Sequence, residues 1–167
     1  MKIIAETERL ILREWTLDDA PDLFQLNSNP NVLKFTGDKP FKNIQEAEEL
    51  ILNYEQYSKY GLGRWIVHRK IDSQFLGWCG LRFQENINET DIGFRFLETQ
   101  WNKGYATESA KATINYGFGI LGIKQIVARC KKENASSTKV LQKIGMKLFS
   151  EIEFDGELGL KFILNHE

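Results

Sequence analysis

The chain has 167 residues, of which 42% are hydrophobic, and carries 22 basic against 23 acidic side chains. That length fits one domain, residues 1–167, able to bury roughly 70% of its unfolded surface, and the even charge gives no general pull toward nucleic acid or an anionic membrane. No run approaches the ~20 apolar residues of a membrane span and the charged first eight residues hold no signal-peptide core, so the expectation is a soluble cytoplasmic protein.

In chain order, residues 7–14 alternate Leu10 and Leu12 against Arg9, Ile11 and Arg13, the pattern of a short strand. Thr16 and Asp19 form a capping-box pattern that opens a helix through Ala20, Leu23 and Phe24, with Pro30 expected to end it. A second helix is predicted from an Asn43 cap through Ala47, Leu50, Ile51 and Tyr54, stopped by Gly61 and Gly63. From Arg64 the period becomes that of strands, at residues 65–67, 75–81 and 91–97, joined by short polar turns as an antiparallel meander. Gly77 and Gly80 inside a strand mark a bulge or a close backbone approach. A helix follows over residues 105–118, then a strand over 123–131, then a helix capped by Asn134 and closed at Gly145. Residues 146–154 and 157–164 complete a hairpin on the turn dipeptide Asp155-Gly156. The order is that of a mixed α/β sheet with helices on both faces. Cys79 and Cys130 lie in separate apolar runs and read as buried free thiols, while His68 and His166 have no neighbouring ligands, so no metal site is expected.

The chemistry concentrates where residues 92–97 pass through a polar turn into the helix that starts near Gly104. The first turn of a helix has amides without intrahelical partners and the positive end of the dipole, and glycine leaves them open to an anion. No nucleoside-triphosphate loop of the G-x-x-x-x-G-K-[ST] type occurs, and no G-x-G-x-x-G follows a strand.

The run Trp101-Asn102-Lys103-Gly104-Tyr105-Ala106 falls on the pyrophosphate loop Q/R-x-x-G-x-G/A of the GNAT acetyltransferases, which the chain resembles. The likeness is to the branch of ribosomal-protein N-terminal acetyltransferases, where the loop reads W-G-K-G-Y-A-T-E, leaving Asn102 as the one mismatch. Thr7 to Arg13 (T-E-R-L-I-L-R), Leu17 to Ala20, and the set Asn134, Ser137, Val140, Leu141, Lys143 and Gly145 also match the branch, with Met146 in place of Phe. The resemblance implies a single GNAT-like domain with a mostly antiparallel sheet and two splayed central strands. It also implies acetyl-CoA as cosubstrate, with pantetheine along Phe94, Phe96 and Leu97. The pyrophosphate would sit on Trp101, Asn102, Lys103, Gly104, Tyr105, Ala106 and Thr107. Asn134 would contact pantetheine and Ser137 would protonate the departing thiolate.

Attack on a thioester needs a neutral amine, and Glu85, Glu89 and Asp91 are candidates for accepting its proton, directly or through water. An α-amine, with a pKa near ~8, needs less help than a lysine near ~10.4. The expected acceptor is a protein N-terminus, a polyamine or another small amine, and the acidic row Glu151, Glu153 and Asp155 hints at a cationic one. Lys131, Lys132 and Lys139 could attract the cofactor's 3′-phosphate. The alternative is a noncatalytic CoA-binding module on the same scaffold; a homodimer is allowed by the sequence and not specified by it.

Overall fold

In the computed structural model, which describes all 167 residues, the chain runs β1 (Ile3–Glu6), β2 (Leu10–Arg13), a 3-10 turn (Leu17–Asp19), α1 (Ala20–Leu26), α2 (Pro30–Leu33), α3 (Ile44–Leu52) and α4 (Gln56–Tyr60). It continues through β3 (Arg64–Arg69), β4 (Phe75–Gln84), β5 (Glu89–Phe96), a second 3-10 turn (Glu98–Gln100), α5 (Tyr105–Gly119), β6 (Gln125–Lys131), α6 (Ala135–Lys143), β7 (Lys147–Phe154) and β8 (Glu157–Asn165). One sheet holds all eight strands in the order β1-β2-β3-β4-β5-β6-β8-β7. Every neighbouring pair is antiparallel except β5 and β6, which are parallel. No helix is long and apolar enough to cross a membrane.

Alternation along the strands divides the apolar residues between two faces. Trp65 and Val67 of β3 join Leu10, Leu12, Ala110 and Ile114 of α5 and Leu141 of α6 in the larger core, while Ile66 joins Ala20, Leu23, Leu26 and Ala47 of α1 and α3 in the smaller one. Leu76 and Cys79 face the larger core and Phe75 and Trp78 the smaller, a spacing of three that simple alternation cannot give. The phase slips because the β3–β4 register shifts beside Gly77, whose φ of 151° and contact with the Arg95 carbonyl leave no room for a Cβ. Cys79 and Cys130 are buried free thiols.

Several expectations are corrected. The strand expected at residues 7–14 is confined to Leu10–Arg13, and β1, unpredicted, pairs with its edge. Pro30 does not end α1, which stops at Leu26; it opens α2 behind Asn29, whose Oδ1 accepts the Asn31 N–H at 2.9 Å. The helix expected after Asn43 breaks at Asn53 into α3 and α4. There Tyr54 turns to stack on Trp15 at 4.5 Å and its hydroxyl accepts the Arg64 N–H at 2.7 Å, tertiary contacts that outweigh helix continuation. Glu89 is the first residue of β5 instead of part of a loop.

Candidate active site

The parallel strands β5 and β6 pair at one position only, Asp91 with Val127, and part beyond it. The Leu97 amide donates to the Leu76 carbonyl of β4 at 2.9 Å. Strand alternation therefore turns the main-chain groups of Phe94 and Phe96 the other way, to the edge left open by β6. The Phe96 carbonyl accepts the Trp101 indole N–H at 2.9 Å, which fixes the loop to the end of the strand. The open wedge thus lies between the C-terminal halves of β5 and β6, with the starts of α5 and α6 at its wide end.

The loop after β5 turns on two left-handed residues, Asn102 (φ 59°) and Gly104 (φ 81°). Such alternation curls main-chain N–H groups to one side, an anion-binding geometry. Asn is the residue that most readily replaces glycine in this conformation, which accounts for Asn102 where the related run has Gly. Gly104 caps α5, and the first intrahelical bond, Glu108 N–H to the Gly104 carbonyl at 3.0 Å, leaves the amides of Tyr105, Ala106 and Thr107 ahead of it. Lys103 reaches Gln100 Oε1 at 3.3 Å.

At the start of α6, Asn134 is the N-cap: its Oδ1 accepts the Ser137 amide at 3.2 Å, and its amide group donates to Ser137 Oγ at 2.9 Å. Ser137 thus accepts through one lone pair and keeps its own O–H free to donate. Lys131 pairs with Glu157 at 3.1 Å and Lys132 with Glu151 at 2.6 Å, so both are partly spent, as is Glu151 of the acidic row; Lys139 has no such partner.

The three carboxylates differ sharply. Asp91 is buried, with Oδ1 held by Arg64 at 2.5 Å and Oδ2 by Arg82 at 3.0 Å and Gln84 at 2.5 Å. Burial pushes its pKa up, but the charges of Arg64 and Arg82 and their hydrogen bonds outweigh that and hold it below the ordinary carboxylate range. Arg64 lies across Gly93, where a Cβ would come within 2.9 Å of its guanidinium carbon, and also donates to the Gly80 carbonyl at 2.7 Å. Glu89 bridges Arg129 and Lys161, the latter at 2.6 Å; burial opposes these cations and they again prevail, lowering its pKa. Glu85 is exposed in the β4–β5 turn, and its carboxylate has one hydrogen bond, from the Tyr60 hydroxyl at 3.4 Å. The topology puts Phe94, Phe96 and the loop along and after the C-terminal half of β5, Asn134 and Ser137 just after the C-terminal end of β6, and Glu85 beyond the narrow end of the wedge, one strand-length (roughly 25 Å) from the loop.

Sequence reasoning assigned no role to three groups beside the loop. The Thr7 hydroxyl, Arg9 amide and Arg9 Nε all donate to the Glu108 carboxylate, at 2.6, 3.0 and 2.6 Å. The signal was present, since Thr7 and Arg9 belong to T-E-R-L and Glu108 ends W-N-K-G-Y-A-T-E, but nothing in either run says that they meet.

The family profile described as the acetyltransferase (GNAT) domain matches residues 9–147. An uncharacterized N-acetyltransferase of Bacillus licheniformis, p20, is 33% identical over 143 residues, covering 84% of this chain and 80% of that protein. The spermidine N(1)-acetyltransferase of Escherichia coli K12 is 24% identical over 163 residues, covering 92% and 78%. Among solved structures, the ribosomal L7/L12 α-N-protein acetyltransferase RimL in complex with coenzyme A superposes with a TM-score of 0.85 at 19% identity, covering 98% of each chain.

Proposed function

The chain is an N-acetyltransferase of the GNAT acetyltransferase family, and on that premise we propose how it binds acetyl-CoA and which amine it acetylates. The observation that carries the reading is the wedge between β5 and β6 ending at a loop of left-handed residues and unpaired helix amides. The pyrophosphate sits on residues 101–107, and the pantetheine arm follows the open edge formed by the main-chain groups of Phe94 and the Phe96 N–H, past Leu97 and beside Asn134. The amine nitrogen attacks the thioester carbonyl carbon, the C–N bond forms, the C–S bond breaks, and Ser137 relays a proton to the departing sulfur, taking one back from the solvent that receives the proton the amine loses.

Asp91 does not suit the base expected from its position in sequence, because a carboxylate held by two arginines and a glutamine is a weak proton acceptor. Of the three candidates only Glu85 has no cationic partner, but it lies beyond the paired end of the wedge, so the amine's proton passes through water to bulk solvent. So weak a base suits an acceptor with a useful neutral fraction at pH 7, and we place the α-amine of a protein N-terminus ahead of a polyamine or other small amine. The partial neutralisation of Glu151 by Lys132 removes part of the argument for a polycation. Two buried thiols fit the reducing cytoplasm.

The test is a panel of N-terminal peptides, polyamines and small amines, read by CoA thiol release and by mass spectrometry of the products. Acetylation of peptides at the α-amine supports the reading. Turnover confined to polyamines overturns the acceptor, and binding of acetyl-CoA without turnover on any amine returns the noncatalytic alternative.

A further inference from the structure

Glu108 poses an electrostatic problem. It lies in the first turn of α5, and a bare carboxylate there would repel the diphosphate that the same turn is proposed to hold. The chain answers from the connection between β1 and β2, about a hundred residues earlier. Thr7 and Arg9 supply three donors to the carboxylate, and the Thr7 hydroxyl is itself placed by the Leu10 amide, which donates to it at 3.0 Å. Arg9 then reaches across the helix start. Its Nη1 donates to the Lys103 carbonyl at 3.0 Å, and its guanidinium carbon stands 4.6 Å from the centre of the Tyr105 ring. A Cβ on Gly104 would lie 3.3 Å from its Nη2. One side chain thus holds residues on both sides of Gly104, the carbonyl before it and the carboxylate after it.

We propose that Arg9 is a positioning residue for the cofactor's diphosphate, acting through Lys103 and Glu108: it neutralises the carboxylate and fixes the loop carbonyl so that the amides of residues 103–107 face the ligand. Binding the Lys103 carbonyl on the far side of the loop keeps that acceptor from turning toward the phosphates, and occupying Glu108 with three donors keeps its charge at the rear of the first turn. Lysine could supply charge but not the fork that spans two acceptors. The inference rests on the assignment of the pyrophosphate to residues 101–107.

The experiment compares the parent with Arg9→Met, Arg9→Lys, Glu108→Gln and the double variant Arg9→Met/Glu108→Gln. CoA affinity is measured by calorimetry, and turnover with acetyl-CoA is compared with turnover of acetyl-pantetheine, a thioester that lacks the diphosphate. Arg9→Met should weaken CoA binding by about tenfold or more and raise KM for acetyl-CoA, while kcat/KM with acetyl-pantetheine stays within about twofold of the parent. Arg9→Lys should fall between, and the double variant should recover a large part of the loss because the exposed anion is gone. Equal CoA affinity in Arg9→Met, an equal loss with acetyl-pantetheine, or no recovery in the double variant overturns the proposal; the acetyl-pantetheine arm is the one that a general loss of structure would also move. Should Arg9→Met not fold, Arg9→Lys is judged by the same three criteria. A parent that binds acetyl-pantetheine as tightly as CoA would remove the pyrophosphate assignment itself, and this inference with it.

Discussion

Single side chains near the wedge separate into those held fast and those left free. Asp91 has both oxygens occupied and its side chain is only 7% exposed, so replacing it leaves Arg64 facing a neutral partner in a buried position. Asp91→Asn should cost about 3–5 kcal/mol of stability near neutral pH. Because the folded pKa is depressed, the pairing contributes fully above the unfolded carboxyl pKa of ~3.9 and is lost as pH falls through the lower folded value. The gap between parent and variant in urea unfolding should therefore shrink below about pH 4. Turnover of the folded variant should fall by one factor at every pH; a loss concentrated at low pH would restore Asp91 as the base. Ser137 is the opposite case, with its hydroxyl hydrogen uncommitted while Asn134 performs the capping. Ser137→Ala should lower kcat by on the order of 10²-fold with little change in CoA affinity. Normal turnover beside a stability loss of about 1 kcal/mol or less would leave it a first-turn helix residue only. Neither environment was legible in sequence: the motif places Asp91 and Ser137 on their elements, whereas Arg64 and Arg82 reach Asp91 across strand neighbours that only the sheet register brings together.

At the scale of elements, the junction between β5 and α5 depends on local conformation more than on any side chain. Gly104 has a φ of 81°, where a β-branched residue is strained, and a Cβ there would also press on Arg9. Gly104→Val should weaken acetyl-CoA binding at least about tenfold, or roughly 1.4 kcal/mol. Calorimetry on a folded variant that bound as tightly as the parent would move the pyrophosphate elsewhere. Local conformation is also what the sequence expressed best. Asp155 and Gly156 both have positive φ, as their hairpin turn requires, and Gly145 has a φ of 91° just beyond α6, as its helix-ending role requires. Elements whose bounds depend on distant partners were read less well. The break between α3 and α4 follows from Trp15 and Arg64 drawing Tyr54 aside, and β1 exists because β2 offers it an edge; neither cause lies within the segment affected.

Across the whole molecule the sheet has two parts, β1 to β5 and β6 to β8, joined through one paired position and through the larger core under α5 and α6. Main-chain groups of β5 that would normally bond a neighbour face the wedge, so a ligand with amide groups along its length can complete the ladder that β6 leaves open. Filling the wedge should stabilise the fold as a unit. At acetyl-CoA concentrations near a hundred times Kd the gain is about 2.7 kcal/mol, which for a chain of this size raises Tm by roughly 5–10 °C. Amide exchange gives the sharper reading, because adjacent residues of β5 differ. Phe94 and Phe96 face the wedge and should exchange more slowly with acetyl-CoA bound than the general stabilisation accounts for, as should Tyr105 to Thr107 at the helix start. Leu97 already donates to Leu76 and should change only with global stability. Equal slowing at Phe94, Phe96 and Leu97 would mean that the ligand tightens the fold without lying along this strand, and the pantetheine path would have to be sought on another edge.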